Sequence, residues 1–248
     1  MMKSLKKAAV IVSALSLIFA PAANAAVLKS AGATSVAGLI DKCKADYQSA
    51  TGHSFDYPGG GSGAGKTAFT NGTVDFAFSD SVHSPLIANE IHVPTVLWPV
   101  AILTNLTGSN KPVTLSTSTV AGIFAGKITK WNDPAIVADN NRTINTIIYK
   151  KDASGKVAKD ANGAPIVLRT QQVTQHRTMP NLSITVIYRS DNSGTSNNLS
   201  RALNKLSPDI WSKSPNDSFA NAFPGSITAD PVRFRAAAGS AGVSLLRS

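Results

Sequence analysis

Cysteine and charge are both scarce in this chain of 248 residues. Cys43 is the only cysteine, so no internal disulfide can form and the fold must be stabilised by its apolar core. The helical neighbourhood of Cys43 predicts a small buried residue rather than a reactive thiol. Charged residues make up 15% of the chain and form no dense basic run interleaved with aromatics. A nucleic-acid partner is therefore not expected.

Sequence patterns for catalysis and metal binding are missing as well. Four histidines are scattered along the chain, and none has a metal-ligand spacing to another: His53, His83, His92 and His176. No Gly-x-Ser-x-Gly elbow of a serine hydrolase occurs. The sequence therefore predicts no enzyme, no metal and no cofactor.

The N-terminal segment has the features of a secretion signal. Three lysines in the first seven residues precede an unbroken run of apolar and small residues at positions 8–20. Pro21 ends the run, and Ala23-Asn24-Ala25 supplies small residues at both positions that signal peptidase recognises. The run is too short to cross a bilayer core of about 30 Å as a stable helix. We predict a signal peptide over residues 1–25, cleaved after Ala25, and a periplasmic or secreted protein.

The segment that follows alternates between strand and helix signals. Apolar residues recur at helical spacing over residues 36–50, and Gly52 ends this helix. Strands are predicted at residues 27–30, 53–57 and 74–78, and a short helix ends near residue 71. This order is typical of a parallel α/β sheet with ligand-binding loops at the carboxyl ends of its strands.

The rest of the chain has weaker signals, from which we predict six further features. These are a strand at 93–106 crossing between two lobes, a helix at 116–125, a short helix beginning at the turn 131–134, an exposed hairpin insertion at about 145–181, a strand at 184–188 and a helix at 193–206.

A glycine-rich loop at residues 58–65 provides the first candidate site. Gly60-Gly61-Ser62-Gly63-Ala64-Gly65-Lys66-Thr67 matches the nucleotide-binding motif G-x-x-x-x-G-K-[ST]. Export to a compartment without ATP argues against an NTPase, as does the shortness of the helix that follows. A glycine-rich turn leading into a helix N-terminus still favours an anion. In a further interpretation, Lys66 and Thr67 are solvated residues of the first helical turn.

A second segment, at residues 189–196, has similar chemistry. A strand ends in Arg189, and a Ser-Gly-Thr step then opens a helix. Arg189 can offer a planar charged fork to an oxyanion, and Ser193 and Thr195 can donate hydroxyl hydrogen bonds. Asp191 is placed to orient Arg189. An ordinary helix cap beside a surface arginine is the alternative interpretation.

Asp80 follows the third predicted strand and supplies a carboxylate near a candidate anion site. It can accept a hydrogen bond from a protonated oxyanion, whereas a fully ionised anion such as sulfate would be repelled. The predicted ligand is therefore phosphate rather than sulfate. A turn residue without a ligand is the alternative.

Several of these motifs resemble the periplasmic phosphate-binding component of ABC phosphate importers. The most specific is Gly122-Ile123-Phe124-Ala125-Gly126-Lys127-Ile128-Thr129-Lys130-Trp131-Asn132-Asp133-Pro134, which is similar to the interlobe helix and turn of that family. Four other segments resemble its ligand loops: residues 31–34, residues 59–65, residues 73–80 and residues 189–196. The resemblance extends over residues 28–211, apart from the insertion.

The resemblance implies an α/β fold of the type II, Venus-flytrap class, which closes by hinge motion on a dehydrated anion. Lobe I would comprise residues 26–97 and lobe II residues 98–248. The implied phosphate ligands in lobe I are Thr34, the backbone N–H of Ser35, Ser62 and Asp80. Those in lobe II are Arg189, Ser193, the backbone N–H of Gly194, and Thr195. The implied partner is the membrane permease of an importer, met by a monomer.

Members of this family continue for about a hundred residues further. Residues 236–244 resemble the start of a late helix, so the resemblance implies that the second lobe and the C-terminal return are incomplete. A truncated gene product and a shortened variant that compensates are both open, and a nonfunctional remnant is the alternative function.

Overall fold

The computed structural model describes residues 25–106, 112–174 and 176–245. Apart from Ala25, the predicted signal peptide lies outside these ranges. Within the described ranges, no helix has the length and apolar character needed to cross a membrane.

The first lobe is built on a parallel sheet of three strands, as the sequence predicts. Strand β1 (Val27–Gly32) lies between β2 (Ser54–Asp56) and β3 (Phe76–Phe78). The strand β2 pairs with the first half of β1, starting at Val27 and Ser54, while β3 pairs with the second half. The carboxyl end of β1 is therefore hydrogen-bonded to β3 where the ligand loops were predicted.

Two helices complete this lobe, and both were predicted. Helix α1 (Ala37–Thr51) ends at Gly52, whose φ of 74° places it in the left-handed region that favours glycine. Helix α2 (Ser62–Thr70) begins directly after the glycine loop. A small core of Val36, Ile40 and Tyr57 packs beneath the sheet.

The second lobe has the larger core. It contains α3 (Thr117–Phe124), α4 (Pro134–Asn140), strand β6 (Val186–Arg189), α5 (Gly194–Leu206), α6 (Phe219–Ala222), strand β7 (Phe234–Ala237) and α7 (Gly239–Leu245). Trp211 and Phe219 are fully buried at its centre, with their ring centroids 5.8 Å apart. Such burial of large apolar side chains is the main stabilising contribution in a domain without disulfides.

The parallel pairing of β6 with β7 corrects one expectation. The sequence predicts that a helix begins at Ala236, but Ala236 pairs with Tyr188 and Ala237 with Arg189. The helix α7 begins only at Gly239. Alanine has little intrinsic strand preference, so this strand exists because β6 offers it hydrogen bonds.

Strands β4 (Thr143–Tyr149) and β5 (Val167–Thr174) form an antiparallel hairpin with mostly exposed side chains. Its far end continues through two isolated bridges, Lys151 to Val157 and Lys159 to Pro165. Asp152 stabilises one turn there, where its Oδ1 accepts from the backbone N–H groups of Ser154 and Lys156. The hairpin thus extends away from both cores.

The strand predicted at residues 93–106 is wrong. These residues form no regular secondary structure, and Leu97 is 94% exposed. An extended apolar run becomes a strand only when a neighbouring strand takes its backbone hydrogen bonds, and none of the described strands lies beside it. Hydropathy alone therefore misassigned the segment.

The predicted burial of Cys43 is also wrong, because its side chain is exposed on α1. Ile40 is the residue of this helix that the sheet buries. A helix on one face of a small three-stranded sheet covers that sheet with few of its residues, so the remaining positions face solvent.

Candidate anion-binding site

The glycine loop brings the start of α2 against the end of β1. Gly59, Gly60 and Gly61 have φ values of 79°, 104° and 93°, which residues with a Cβ rarely adopt. The Gly32 N–H donates to the Gly59 carbonyl at 3.1 Å, and the Gly61 N–H donates to the Gly32 carbonyl at 2.9 Å. The N-terminus of α2 is thereby aimed at the second lobe.

Asp80 lies where the two lobes meet. Its Oδ1 accepts from the Ser35 hydroxyl at 2.6 Å, and its Oδ2 accepts from the Thr195 hydroxyl at 3.4 Å. Its backbone N–H donates to the Ser62 Oγ at 3.1 Å, and its carbonyl accepts from the Asn198 side chain at 2.7 Å. The structure thus brings Ser35, Ser62, Asp80 and Thr195 together. Asn198 was not predicted from the sequence, although it lies one helical turn after Gly194.

Ser62, Ser193 and Gly194 are buried at the same interface. Ser62 is 1% exposed and Ser193 is 2% exposed. A Cβ atom on Gly194 would lie 2.6 Å from the Ser62 Oγ, so only glycine allows this approach of the backbone. The N-terminus of α5 therefore meets the N-terminus of α2 within one shared polar region. Two helix N-termini that converge make the local potential positive.

Arg189 ends β6 beside these residues and is held by Asp191. The Arg189 Nε donates to the Asp191 Oδ1 at 2.6 Å, and its Nη2 forms an ion pair with Oδ2. The Gly239 N–H also donates to Asp191, at 3.1 Å. The Arg189 hydrogen bond, together with that from Gly239, holds the pKa of the Asp191 carboxyl below its usual range. Arg189 thus has a fixed orientation and a permanent positive charge at the edge of the site.

Thr34 and Tyr57 lie on the first-lobe side of the site. Thr34 begins a short 3-10 turn after β1, and its methyl group contacts the position where Gly59 would carry a Cβ. The buried Tyr57 hydroxyl donates to the Ala33 carbonyl at 2.6 Å. Burial, and then the negative charge of Asp80, raise the pKa of the Tyr57 hydroxyl far above its ordinary value. Tyr57 was not predicted as part of the site, although it directly precedes the glycine loop.

Lys66, which the nucleotide-binding motif would aim at terminal phosphates, has a different partner. Its Nζ lies 2.5 Å from the Asp217 Oδ2 in the second lobe. Helix α2 has nine residues, as short as the sequence predicts. This geometry does not support the nucleotide-binding alternative.

A groove of about 650 Å³ lies between residues 100–105 and the second lobe. Most of its lining is apolar, including Ile102, Leu115 and Phe124, although Arg189 and Thr195 also line it. An apolar wall cannot replace the hydration shell of an anion. The polar region around Asp80 and Arg189 is therefore the better candidate for binding an anion.

Two α/β lobes that meet over hydroxyl groups, helix N-termini and one oriented arginine form the architecture of a two-lobe binding protein. A sequence model of the PBP superfamily domain matches residues 20–232. The chain belongs to this superfamily, which confirms the two-lobe α/β fold that the motifs imply.

Curated relatives agree with this placement. The chain is 31% identical over 204 residues to the phosphate-binding protein PstS 2 of Mycobacterium tuberculosis, across 77% of this chain and 46% of the relative. It is 28% identical over 207 residues to the phosphate-binding protein PstS of Xylella fastidiosa, across 81% of this chain and 46% of the relative. The chain thus spans about half the length of these relatives.

A solved structure is also similar over much of the chain. It is a putative phosphate ABC transporter substrate-binding protein with bound phosphate from Clostridium perfringens. The match has 16% sequence identity and a TM-score of 0.42, and it covers 89% of this chain and 65% of the other.

Proposed function

We propose that this protein binds inorganic phosphate between its two lobes and delivers it to the permease of an ABC-type importer. The proposed ligands are Thr34, Ser35, Ser62, Asp80, Arg189, Ser193, Gly194 and Thr195, with Asp191 orienting the arginine. The observation that carries the proposal is the convergence on Asp80 of hydroxyl donors from both lobes. The phosphate-binding relatives support the same ligand.

The combination of donors and one acceptor suits a protonated tetrahedral anion. Hydroxyls and helix N–H groups donate to the oxygens that carry charge, and Arg189 neutralises them. Asp80 can only accept while ionised, so it requires a ligand with its own O–H group. Phosphate at neutral pH has this group, whereas sulfate has no proton to donate to Asp80 and would place a second negative charge beside it. Asp80 is therefore the proposed origin of discrimination between the two anions.

The protein is proposed to act without catalysis, because anion capture needs no bond to break. Residues 26–97 would form the first lobe and residues 98–248 the second, with the segment at 145–181 as an insertion. We further propose that residues 1–25 are removed on export and that a monomer meets the permease outside the cytoplasm.

Calorimetric titration of the purified protein with phosphate and then sulfate tests this function. We expect heat from phosphate and none from sulfate at neutral pH. Arg189→Ala should weaken phosphate binding by at least about 30-fold, because the phosphate anion loses the positive charge of the guanidinium and Asp191 is left without its partner. Arg201→Ala is the matched control, since that guanidinium bonds to Asn197 on its own helix.

Asp80→Asn tests the origin of selectivity separately. An amide can donate as well as accept, so sulfate binding should become measurable while phosphate binding weakens. Folded wild-type protein that binds neither anion would overturn the proposed phosphate-binding function and leave the nonfunctional alternative. Far-ultraviolet circular dichroism distinguishes this outcome from a failure to fold.

A further inference from the structure

Lys66 and Asp217 form a mostly buried ion pair between the two lobes. Lys66 lies on α2, Asp217 lies in the loop before α6, and the Nζ to Oδ2 distance is 2.5 Å. Their side chains are only 17% and 14% exposed. Ser81 connects the pair, since its Oγ accepts from Lys66 at 3.0 Å and donates to Asp217 at 2.9 Å.

Each member of this group is joined to a proposed phosphate ligand. Lys66 lies one helical turn after Ser62 on α2, and Ser81 directly follows Asp80. The Asp217 carbonyl accepts from the backbone N–H of Ser193 at 2.9 Å. The group therefore cannot separate without moving residues on both sides of the site.

We propose that Lys66, Ser81 and Asp217 form an interlobe latch that holds the lobes closed and slows phosphate release. This inference rests on the proposed function for its ligand. Another interlobe contact near the site, from the Gly63 N–H to the Asn192 carbonyl at 3.0 Å, joins two neutral groups. The latch adds opposite charges in a region that solvent screens weakly, so opening the lobes leaves both charges without their partners.

The latch also gives the lysine of the glycine-rich motif a role that nucleotide binding does not. Lys66 is the cation that this motif would direct to a terminal phosphate, yet Asp217 neutralises it here. The latch therefore acts on the rate of opening rather than as a direct phosphate ligand. Its loss should increase the rate of phosphate release more than it decreases the rate of phosphate binding.

Stopped-flow measurement of phosphate release tests the latch. Lys66→Met and Asp217→Asn should each release phosphate about tenfold faster or more, and the double variant should be no faster than either single one. Lys44→Met is the matched control, because the Lys44 and Asp41 ion pair lies within α1. The exchanged pair Lys66→Asp with Asp217→Lys should recover part of the slow release.

A ligand-free measurement separates the latch from the phosphate proposal. Spin labels on the exposed Cys43 of α1 and on Lys205→Cys of α5 report the distance between the lobes. Without phosphate, Lys66→Met should shift the distance distribution towards longer values, while Lys44→Met should not. If Lys66→Met shifts the distances in this way but wild-type protein binds no phosphate, the proposed function is overturned and the latch is retained. Variants that fold but keep the wild-type release rate and the wild-type distances would overturn the latch.

Discussion

Gly194 of the second lobe packs directly on Ser62 of the first. A Cβ atom at position 194 would lie 2.6 Å from the Ser62 Oγ and 2.7 Å from the Asp80 Cβ. Rotation of the Ser62 side chain can relieve only the first contact. The second cannot be relieved in this way, because the Asp80 Cβ is bonded directly to the Cα and its position is set by the backbone. The closed arrangement of the lobes therefore depends on the absence of a side chain at this position.

Gly194→Ala should consequently prevent full closure and weaken phosphate binding by about tenfold or more, which corresponds to overpacking costs of about 1–3 kcal/mol. Titration calorimetry measures the change. Gly38→Ala is the control, because no atom lies within 4 Å of a Cβ there and alanine favours the α1 helix. If Gly194→Ala bound phosphate as tightly as wild type, the lobes would have to meet differently.

The contact at Gly194 illustrates what the sequence can and cannot predict. The helix N-terminus at Ser193 was predictable, since a strand ending in Arg189 and a Ser-Gly-Thr step are local signals. The position of Asp217 was not predictable, because it lies in a polar loop 136 residues after Ser81. Contacts over such separations depend on how the lobes pack, and residue types alone do not determine that packing.

Two strand predictions failed because a strand needs a neighbouring strand, which residue preferences do not reveal: one strand was predicted where none forms, and one forms where a helix was predicted. Residues 93–106 are apolar enough for a strand but have no strand partner among the described residues. Ala236 and Ala237 have weak strand preference but pair with β6. In contrast, α1 and the sheet of the first lobe were predicted well, because Gly52 and the helical spacing are local signals.

The second-lobe core should tolerate truncation poorly. Phe219→Ala removes a fully buried ring that packs on Trp211, Tyr188 and Phe223, so we expect a loss of about 3–5 kcal/mol in the free energy of unfolding. Urea unfolding followed by fluorescence measures it. Leu97→Ala should change this free energy by less than about 0.5 kcal/mol, because Leu97 is almost fully exposed. Equal effects of the two substitutions would contradict the assigned core.

Stability should also depend on the ionisation of Asp191. Its folded-state pKa is held low by Arg189, so its stabilising contribution is present above its unfolded value of about 3.9. That contribution is lost as the pH falls through the lower folded-state pKa. Asp191→Asn should be less stable than wild type at pH 7, and the difference should shrink below about pH 4. Urea titrations at several pH values measure the difference.

A suitable control for this experiment is Asp41→Asn, because Asp41 is exposed and pairs with Lys44 on the same helix. Exposed pairs of this kind contribute little to stability. If Asp191→Asn and Asp41→Asn had the same small effect at every pH, the ion pair of Asp191 with Arg189 would contribute nothing to stability.

Tyr57 provides a spectroscopic test of the interior of the site. Burial first, and the charge of Asp80 second, raise the pKa of its hydroxyl. Because the folded-state pKa is above the unfolded value of about 10, the contribution to stability is complete below that pH. It is lost as the pH rises towards the folded-state value.

Alkaline titration of phenolate absorbance should therefore show one of the four tyrosines ionising only with unfolding. Tyr57→Phe should remove this late step, whereas Tyr149→Phe, on the exposed hairpin, should leave it in place. Asp80→Asn should lower the pH of the late ionisation only partly, since burial of Tyr57 is the larger cause of its raised pKa and remains in this variant. If Tyr57→Phe left the late step unchanged, another tyrosine would be responsible for it. The Tyr57 hydroxyl would then be accessible to solvent, in contradiction to its burial on the first-lobe side of the site.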